Sequence, residues 1–207
     1  MKLLWHDVEQ NSQNWFDLRL GKITMSHASS FMACNPKSFG KVANTYALQL
    51  ALEIVKGVKA EYSFSNKHLE RGHAQEPLAR ALYEEENFCE VTNGGFFDCD
   101  YYGDSPDGLI GLDGVLEIKS VIAETHIETK LRGKYDPSYK WQIIGHLDCS
   151  GRDWVDFVSY CSDFPEGNQL LTYRIHRDDV ISDIAALRVR RREFLNLIQE
   201  KIILVGN

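Results

Sequence analysis

The spacing of apolar and polar residues divides the chain into an N-terminal helical part, a strand-rich middle and a long closing helix. Apolar residues at helical spacing predict helices over residues 12–20, 26–33, 42–55, 66–86, 124–131, 137–149 and 178 to about 204. Shorter apolar runs between turn residues predict strands over 89–92, 95–100, 109–111, 114–120, 154–161 and 170–176. This order predicts an α/β fold of the mixed α+β type, in which helices flank a central mixed β-sheet.

The predicted helix over 42–55 carries a broad apolar stripe. A stripe of this width is typical of a helix that packs on a core. We therefore expect its large apolar residues to be buried: Tyr46, Leu48, Leu50, Leu52, Ile54 and Val55.

Two short motifs in the strand-rich middle place acidic and basic side chains close together. The first is Ser105-Pro106-Asp107-Gly108, and the second is Glu117-Ile118-Lys119, within the predicted strand over 114–120. Because alternate side chains of a strand share a face, Glu117 and Lys119 should point the same way. The glycine-rich reversal between the two motifs can bring Asp107 to the same place.

Two carboxylates beside an ammonium group suit the hydrolysis of a phosphodiester. Carboxylate oxygens are hard ligands for Mg²⁺ or Mn²⁺, which would polarise the phosphate and lower the pKa of a bound water. Lys119 would orient that water or stabilise charge in the transition state. A hairpin with a surface aspartate and an ordinary Glu–Lys pair fits the same residues, so the motifs alone leave both interpretations open.

Residues on both sides of the motifs support the first interpretation. Glu76 directly precedes Pro77 in the predicted helix over 66–86. Proline inside a helix removes a hydrogen bond and bends the axis, and such a local weakness indicates a site. Downstream, Asp136 and Pro137 predict the N-cap and first position of a helix that carries Gln142.

Arg19 and the residues after it predict an anion site. A guanidinium group offers a planar fork of donors to a phosphate. Thr24 or Ser26 is expected to cap the next helix, and a helix N-terminus attracts anions. A surface arginine beside an ordinary N-cap is the alternative that the local sequence leaves open.

Composition and length indicate one soluble domain over residues 1–207. The chain is 43% hydrophobic and 26% charged, which is ordinary for a globular protein with a real core. It lacks the pattern of a secretory signal and any apolar run of the roughly 20 residues that span a bilayer, so a cytoplasmic location is expected. The cysteines form no C-x-x-C pair, which favours free thiols over disulfides or zinc: Cys34, Cys89, Cys99, Cys149 and Cys161.

The net charge of −7 argues against a generic nucleic-acid-binding protein, because such proteins are usually basic. A protein that encloses its DNA needs only a locally positive track. Candidates for such a track are Lys37, Lys41, Lys130, Arg132, Lys134 and Lys140.

These motifs together resemble one family. The matching pieces, in family order, are Trp15 to Ser26, Gly72 to Glu76, Ser105 to Gly108, Glu117 to Lys119, and Gln142. In these pieces the chain resembles the phage-lambda-type exonucleases, also called YqaJ-type viral recombinases, of the PD-(D/E)xK nuclease superfamily. The resemblance implies a restriction-endonuclease-like core.

The resemblance also implies an activity and its partners. The expected enzyme is a Mg²⁺-dependent nuclease, with Mn²⁺ as a substitute, that digests one strand of linear duplex DNA from its 5′ end. It would leave a 3′ overhang for recombination, with a single-strand annealing protein as its usual partner. A ring-shaped homotrimer around the duplex is expected, in the cytoplasm of a bacterial host or encoded by a prophage.

Site residues follow from the resemblance position by position. Asp107 and Glu117 correspond to the metal-binding carboxylates, the Ile118 carbonyl to a further ligand, and Lys119 to the catalytic lysine. Glu76 would face the metal directly or through water. Gln142 matches the glutamine that steadies the water or the scissile phosphate, and the residues that match the 5′-phosphate pocket are Arg19, Ser26 and Ser105.

The chain departs from the family at one position. Where the family has a second glutamine, two residues after the first, this chain has Ile144. That position therefore has no polar role here.

Two other functions fit the same residues. One is a structure-specific or restriction-type endonuclease on the same scaffold. The other is a DNA-end-binding module without catalysis. The clustered acids disfavour the binding module, because acids repel a polyanion, and Arg19 with its serines favours an exonuclease, because a terminal phosphate exists only at an end.

Overall fold

The computed structural model describes residues 3–33, 38–59 and 67–206. Its helices are α1 (Gln13–Arg19), α2 (Ala28–Met32), α3 (Lys41–Lys56), α4 (Lys67–Asn87), α5 (Ala123–Arg132), α6 (Lys140–Ser150) and α7 (Ile181–Gly206). Short 3-10 turns at Met25–His27, Pro137–Tyr139 and Arg177–Val180 precede α2, α6 and α7. Its strands are β1 (Leu4–His6), β2 (Ile23–Thr24), β3 (Val91–Asn93), β4 (Phe96–Asp98), β5 (Tyr102–Asp104), β6 (Gly108–Ile110), β7 (Gly114–Ser120), β8 (Trp154–Tyr160) and β9 (Leu170–His176).

A mixed five-stranded sheet is the centre of the fold, in the order β3-β6-β7-β8-β9. Only β7 and β8 pair in parallel among these neighbours, with Glu117 opposite Phe157 and Lys119 opposite Ser159. The chain passes through α5 and α6 between these two strands, because a parallel pair needs a long crossover. This arrangement confirms the predicted mixed sheet with flanking helices.

A second sheet, which the sequence did not predict, has the order β1-β4-β5-β2. Its strands are only two or three residues long, so they leave no readable alternation in the sequence. The predicted strand over 95–100 is shortened to Phe96–Asp98, and Tyr102–Asp104 forms a strand of its own. The second sheet matters for the site because β5 leads directly into Ser105-Pro106-Asp107.

The helix α3 packs on α7 through a narrower face than the sequence predicted. Tyr46 and Leu50 are buried, but Leu48, Ile54 and Val55 are 40–46% exposed, so their predicted burial is wrong. Besides Tyr46 and Leu50, the buried face of α3 consists of three alanines: Ala43, Ala47 and Ala51. Small side chains let α7 approach closely, and the rings of Tyr46 and Phe194 stack with centroids 5.6 Å apart.

The cysteines in the described ranges are free, in agreement with the prediction: Cys89, Cys99, Cys149 and Cys161. Cys34 lies outside the described residues. Within those ranges, no helix has the length and apolar character needed to cross a bilayer.

Candidate active site

The turn after β5 brings Asp107 to the edge of β7. The strand β6 pairs with β7 only as far as Gly108 opposite Leu116, so the edge of β7 is open beyond that point. The Asp107 amide donates to the Leu116 carbonyl at 3.1 Å. The Asp107 carboxylate then accepts from the Ile118 amide at 2.7 Å, so the side chain continues the pairing where β6 ends.

The Ile118 carbonyl points to this same edge. In an extended strand the amide and carbonyl of one residue point to the same side, and the direction alternates along the chain. Both the Ile118 amide and the Leu116 carbonyl bond to Asp107, so the Ile118 carbonyl faces the Asp107 side as well.

Glu117 and Lys119 share one face of β7, as the strand periodicity predicted. Glu117 is 1% exposed, and Lys119 Nζ donates to its Oε1. Gln142 on α6 donates to the same oxygen through Nε2 at 2.6 Å. The structure therefore brings Glu117, Lys119 and Gln142 together. Ile144, two residues on, is fully buried in the core, which explains its apolar character.

Glu76 joins the group from α4, next to the internal Pro77. Glu76 and Asp107 line one cavity of about 470 Å³. Arg80 lies one turn further along α4, with Nη2 3.8 Å from Glu76 Oε1, and it also donates to the Asp107 carbonyl.

The two central carboxylates differ in their affinity for protons. Burial raises the pKa of Asp107 to about 8, and the neighbouring charges of Glu117 and Glu76 add to this effect. Burial would also raise the pKa of Glu117, but the positive charges of Lys119 and His146 outweigh it and lower the pKa to about 2. Burial would lower the pKa of Lys119, but Glu117 and Asp107 raise it above its ordinary value.

This donor set fits a hard divalent cation. Among the described residues no three acidic, histidine or cysteine side chains form a preformed metal site. Asp107, Glu117 and the Ile118 carbonyl nevertheless present oxygen donors at one edge, and Mg²⁺ usually takes only one or two carboxylates, with water and substrate oxygens completing its shell. Burial is the main cause of the raised pKa of Asp107, and the negative charges of Glu117 and Glu76 add to it; a cation would offset that added charge.

A buried histidine behind Glu117 was missed by sequence reasoning. His146 lies one turn after Gln142 on α6, with Nδ1 2.7 Å from Asp104 Oδ2 and Nε2 2.9 Å from Glu117 Oε2. Burial would lower the pKa of His146, but the two carboxylates raise it to about 10. The spacing of Gln142 and His146 on one helix face was the available signal, but the partners come from distant segments.

A second cavity of about 320 Å³ contains Arg19. Arg19 Nη1 donates to Ser105 Oγ at 3.2 Å, and Trp15 Nε1 donates to the same hydroxyl at 2.8 Å. The guanidinium carbon lies 4.0 Å from the centre of a Trp15 ring. Burial lowers the pKa of Arg19. The structure therefore brings Arg19 and Ser105 into contact, although Ser105 does not line this cavity.

Ser26 does not line this cavity. Its hydroxyl lies 3.3 Å from Thr24 Oγ1, and Thr24 lines the cavity in its place. The predicted helix cap is also wrong, because a 3-10 turn precedes α2 and neither hydroxyl caps it. Since α2 has only five residues, its N-terminus does not explain an anion site.

Further polar groups of this cavity escaped the sequence analysis. His27 stacks on Tyr46 with centroids 4.7 Å apart, and both rings line the cavity. Thr24 Oγ1 lies 3.1 Å from His27 Nδ1. Burial lowers the pKa of His27, and Arg19 adds to the effect.

The two cavities adjoin through the segment before α1. Asn11 lines both of them, in the left-handed backbone region at φ 64°. Gln10 donates to the Pro106 carbonyl at 3.0 Å, which ties this segment to the turn that carries Asp107. A nucleotide chain could therefore reach from Arg19 to the carboxylates past one short segment.

The predicted basic track is partly engaged in contacts within the chain. Lys140 Nζ lies 2.9 Å from Asp183, Lys130 donates to Asn168 at 3.2 Å, and Arg132 lies 3.9 Å from Asp136. Lys37 lies outside the described residues. A positive track for DNA remains a prediction.

The central sheet with its edge of carboxylates has the restriction-endonuclease-like fold. Residues 14–153 match the YqaJ-like viral recombinase domain, and the chain belongs to this family. An alkaline exonuclease from Laribacter hongkongensis, LHK-Exo, is similar with a TM-score of 0.83 at 34% identity, over 94% of this chain and 96% of that chain. Its complex with dAMP gives the same TM-score at 35% identity, with the same coverage.

A more distant structure is similar in fold alone. It is a phage-related exonuclease from Haemophilus somnus, with a TM-score of 0.65 at 17% identity, over 89% of this chain and 95% of that chain. Comparison with the curated proteins gives no significant match.

Proposed function

We propose that this chain is a Mg²⁺-dependent exonuclease that digests one strand of linear duplex DNA from the 5′ end and leaves a 3′ overhang. The observation that carries the proposal is the cavity containing Arg19 directly beside the cavity with Asp107, with Asn11 lining both. An enzyme that cuts near an end needs a site for the terminal phosphate next to a site for hydrolysis.

The chain's own residues divide the catalytic work. Asp107, Glu117 and the Ile118 carbonyl would hold Mg²⁺ or Mn²⁺, with Glu76 facing it directly or through water. The cation supplies Lewis-acid polarisation of the phosphate and a more acidic water. Lys119 keeps its proton because of the neighbouring carboxylates, so it presents positive charge to the pentacoordinate phosphate and to the incoming water.

In the protein without substrate, Gln142 holds the Glu117 carboxylate in place. Its amide donates to Glu117 Oε1 at 2.6 Å, the oxygen that Lys119 also contacts. When substrate enters, the same amide is within reach of a water or a phosphate oxygen near that carboxylate. The role is one of orientation, since an amide does not transfer protons at neutral pH.

A terminal phosphate suits the cavity around Arg19. Arg19, His27 and Thr24 all line a partly enclosed space of about 320 Å³. A terminal phosphate carries more charge than an internal phosphodiester, so an enclosed guanidinium group favours an end. LHK-Exo was crystallised with dAMP, which is the kind of product that exonuclease digestion releases.

Assembly and partners extend the proposal. A ring-shaped homotrimer would enclose the duplex, which lets an acidic protein with net charge −7 hold DNA by a local track. A single-strand annealing protein would take up the 3′ overhang for recombination. Light scattering of the purified chain tests the trimer directly, and a monomer at working concentration would contradict the ring.

One assay separates the candidate activities. The purified chain with Mg²⁺ receives linear duplex labelled at the 5′ or the 3′ end, and covalently closed circles. Loss of 5′ label as mononucleotide, with closed circles intact, is the expected result. Nicked circles would instead establish the endonuclease, and binding of ends without any cleavage would establish the binding module; Glu117→Gln is the inactive control.

A further inference from the structure

Asp104, His146 and Glu117 lie together in the protein interior, with His146 in contact with both carboxylates. These side chains are 2%, 0% and 1% exposed, and they come from β5, α6 and β7. His146 Nδ1 lies 2.7 Å from Asp104, and Nε2 lies 2.9 Å from Glu117. The imidazole therefore bridges one carboxylate of the proposed metal site and a second carboxylate behind it.

Burying two carboxylates and an imidazole together lowers the stability of the folded protein. Charged groups lose their hydration in the interior, and a hydrophobic replacement of similar size is often neutral or stabilising. The contact of His146 Nδ1 with Asp104 has hydrogen-bond geometry, whereas Nε2 meets Glu117 Oε2 as a close ion-pair contact. Because this destabilising contact lies directly behind Glu117 of the proposed metal site, it indicates a functional role and not a role in packing alone.

The bridge completes the restraint on Glu117. Lys119 and Gln142 contact Oε1, and His146 contacts Oε2. With partners at both oxygens, the carboxylate cannot rotate about its terminal bond without losing a contact. Asp104 holds the far nitrogen, so it fixes the plane of the imidazole ring.

We propose that His146, held by Asp104, is a positioning residue that fixes the Glu117 carboxylate for divalent-cation binding. The inference rests on the proposed function, because it assumes that Glu117 is a metal ligand. Partners behind a ligand typically change metal affinity or activity by 10- to 100-fold when they are removed.

The same helix offers a matched control. Asp148, two residues after His146 on α6, accepts from Arg188 at 2.6 Å and from Arg191 at 2.7 Å. Its carboxylate is as buried as that of Asp104, but no contact of the described residues connects it to Glu117. Asp148→Asn therefore removes a buried carboxylate charge without touching the proposed site.

The test measures Mn²⁺ binding to the full chain by electron paramagnetic resonance, alongside urea unfolding. His146→Gln is expected to weaken Mn²⁺ binding by about 10- to 100-fold, and Asp104→Asn by about 10-fold. The double variant should be no weaker than His146→Gln alone, because Asp104 acts through the histidine. Asp148→Asn should unfold more easily, yet bind Mn²⁺ within about twofold of the unchanged protein.

Cleavage at raised Mn²⁺ gives a second readout. Saturating Mn²⁺ should restore most of the turnover of His146→Gln, because the cation-binding defect is overcome by concentration. It should not restore Glu117→Gln, which lacks the ligand itself.

The outcomes separate this inference from the proposed function. If the unchanged protein binds no Mn²⁺ and cleaves no DNA, the proposed function fails. If it does both and His146→Gln binds Mn²⁺ equally well, only the positioning role is overturned. Should His146→Gln fail to fold, Asp104→Asn decides alone; if neither folds, the contact is structural and the inference is overturned.

Discussion

Metal binding to this chain should depend on pH through Asp107. Burial, Glu117 and Glu76 raise the pKa of its carboxyl group to about 8, and a carboxylic acid must lose its proton before it binds a cation. At pH 7 about one molecule in ten has this group ionised, and at pH 6 about one in a hundred. The apparent dissociation constant for Mg²⁺ should therefore rise about tenfold for each pH unit below 8, about 1.4 kcal/mol per unit.

Calorimetric titration with Mg²⁺ between about pH 6 and pH 9 measures this dependence. Above the pKa of Asp107 the dissociation constant should become constant. Asp107→Asn is the control, since it carries no proton to lose and its weaker binding should be nearly flat with pH. If the dissociation constant of the unchanged protein varies by less than about twofold between pH 6 and pH 8, ionisation of Asp107 does not control metal binding.

The same shift predicts how stability depends on pH. In the unfolded chain the Asp107 carboxyl group loses its proton near the ordinary pKa of 3.8, whereas in the folded, metal-free protein it keeps the proton up to about pH 8. The stability of the folded protein therefore falls as the pH rises from 3.8 to about 8. The raised pKa of His146 acts in the same direction: its contribution is complete below 6.5 and is lost as pH rises through about 10. Urea unfolding without metal should therefore become easier from neutral to alkaline pH.

Three substitutions test other parts of the argument. Lys119→Ala should lower turnover by about 10²- to 10³-fold while DNA binding is retained in a gel shift, and near-normal turnover would remove Lys119 from catalysis. Arg19→Ala should erase the rate advantage of 5′-phosphorylated over 5′-hydroxyl ends; an unchanged ratio would show that the phosphate binds elsewhere. Gly145→Ala should destabilise the protein by about 1–3 kcal/mol in urea, because a new Cβ would lie 2.5 Å from Met25 Cβ. Gly72→Ala, whose Cβ would meet open space within a helix, is its control and should be neutral or stabilising.

The order of helices and strands was largely readable from the sequence. The strands Gly114–Ser120 and Leu170–His176 coincide with the predicted segments, and the long helices differ by only a few residues. Each of these elements is long enough that the regular spacing of its apolar residues can be recognised in the sequence. The same period put Glu117 and Lys119 on one face of β7, so the pair at the centre of the site followed from the sequence alone.

Convergence of distant residues needed the tertiary structure. Asp104 and His146 are separated by 42 residues, and nothing in either segment specifies the other. The short strands β1, β2 and β5 form because of pairing within the second sheet, β1 with β4 and β2 with β5, and not because of their own sequence pattern. The cavity that joins Arg19 to His27 and Tyr46 likewise depends on how α1 and α3 pack.

The local sequence therefore specifies the long helices and strands and the chemistry that Asp107, Glu117 and Lys119 offer. The groups that lie behind these three residues, and the position of the second cavity, depend on packing between distant segments. Periodicity and turn chemistry act between neighbouring residues of the chain, whereas burial and charge act between any groups that the fold brings within a few ångströms of each other.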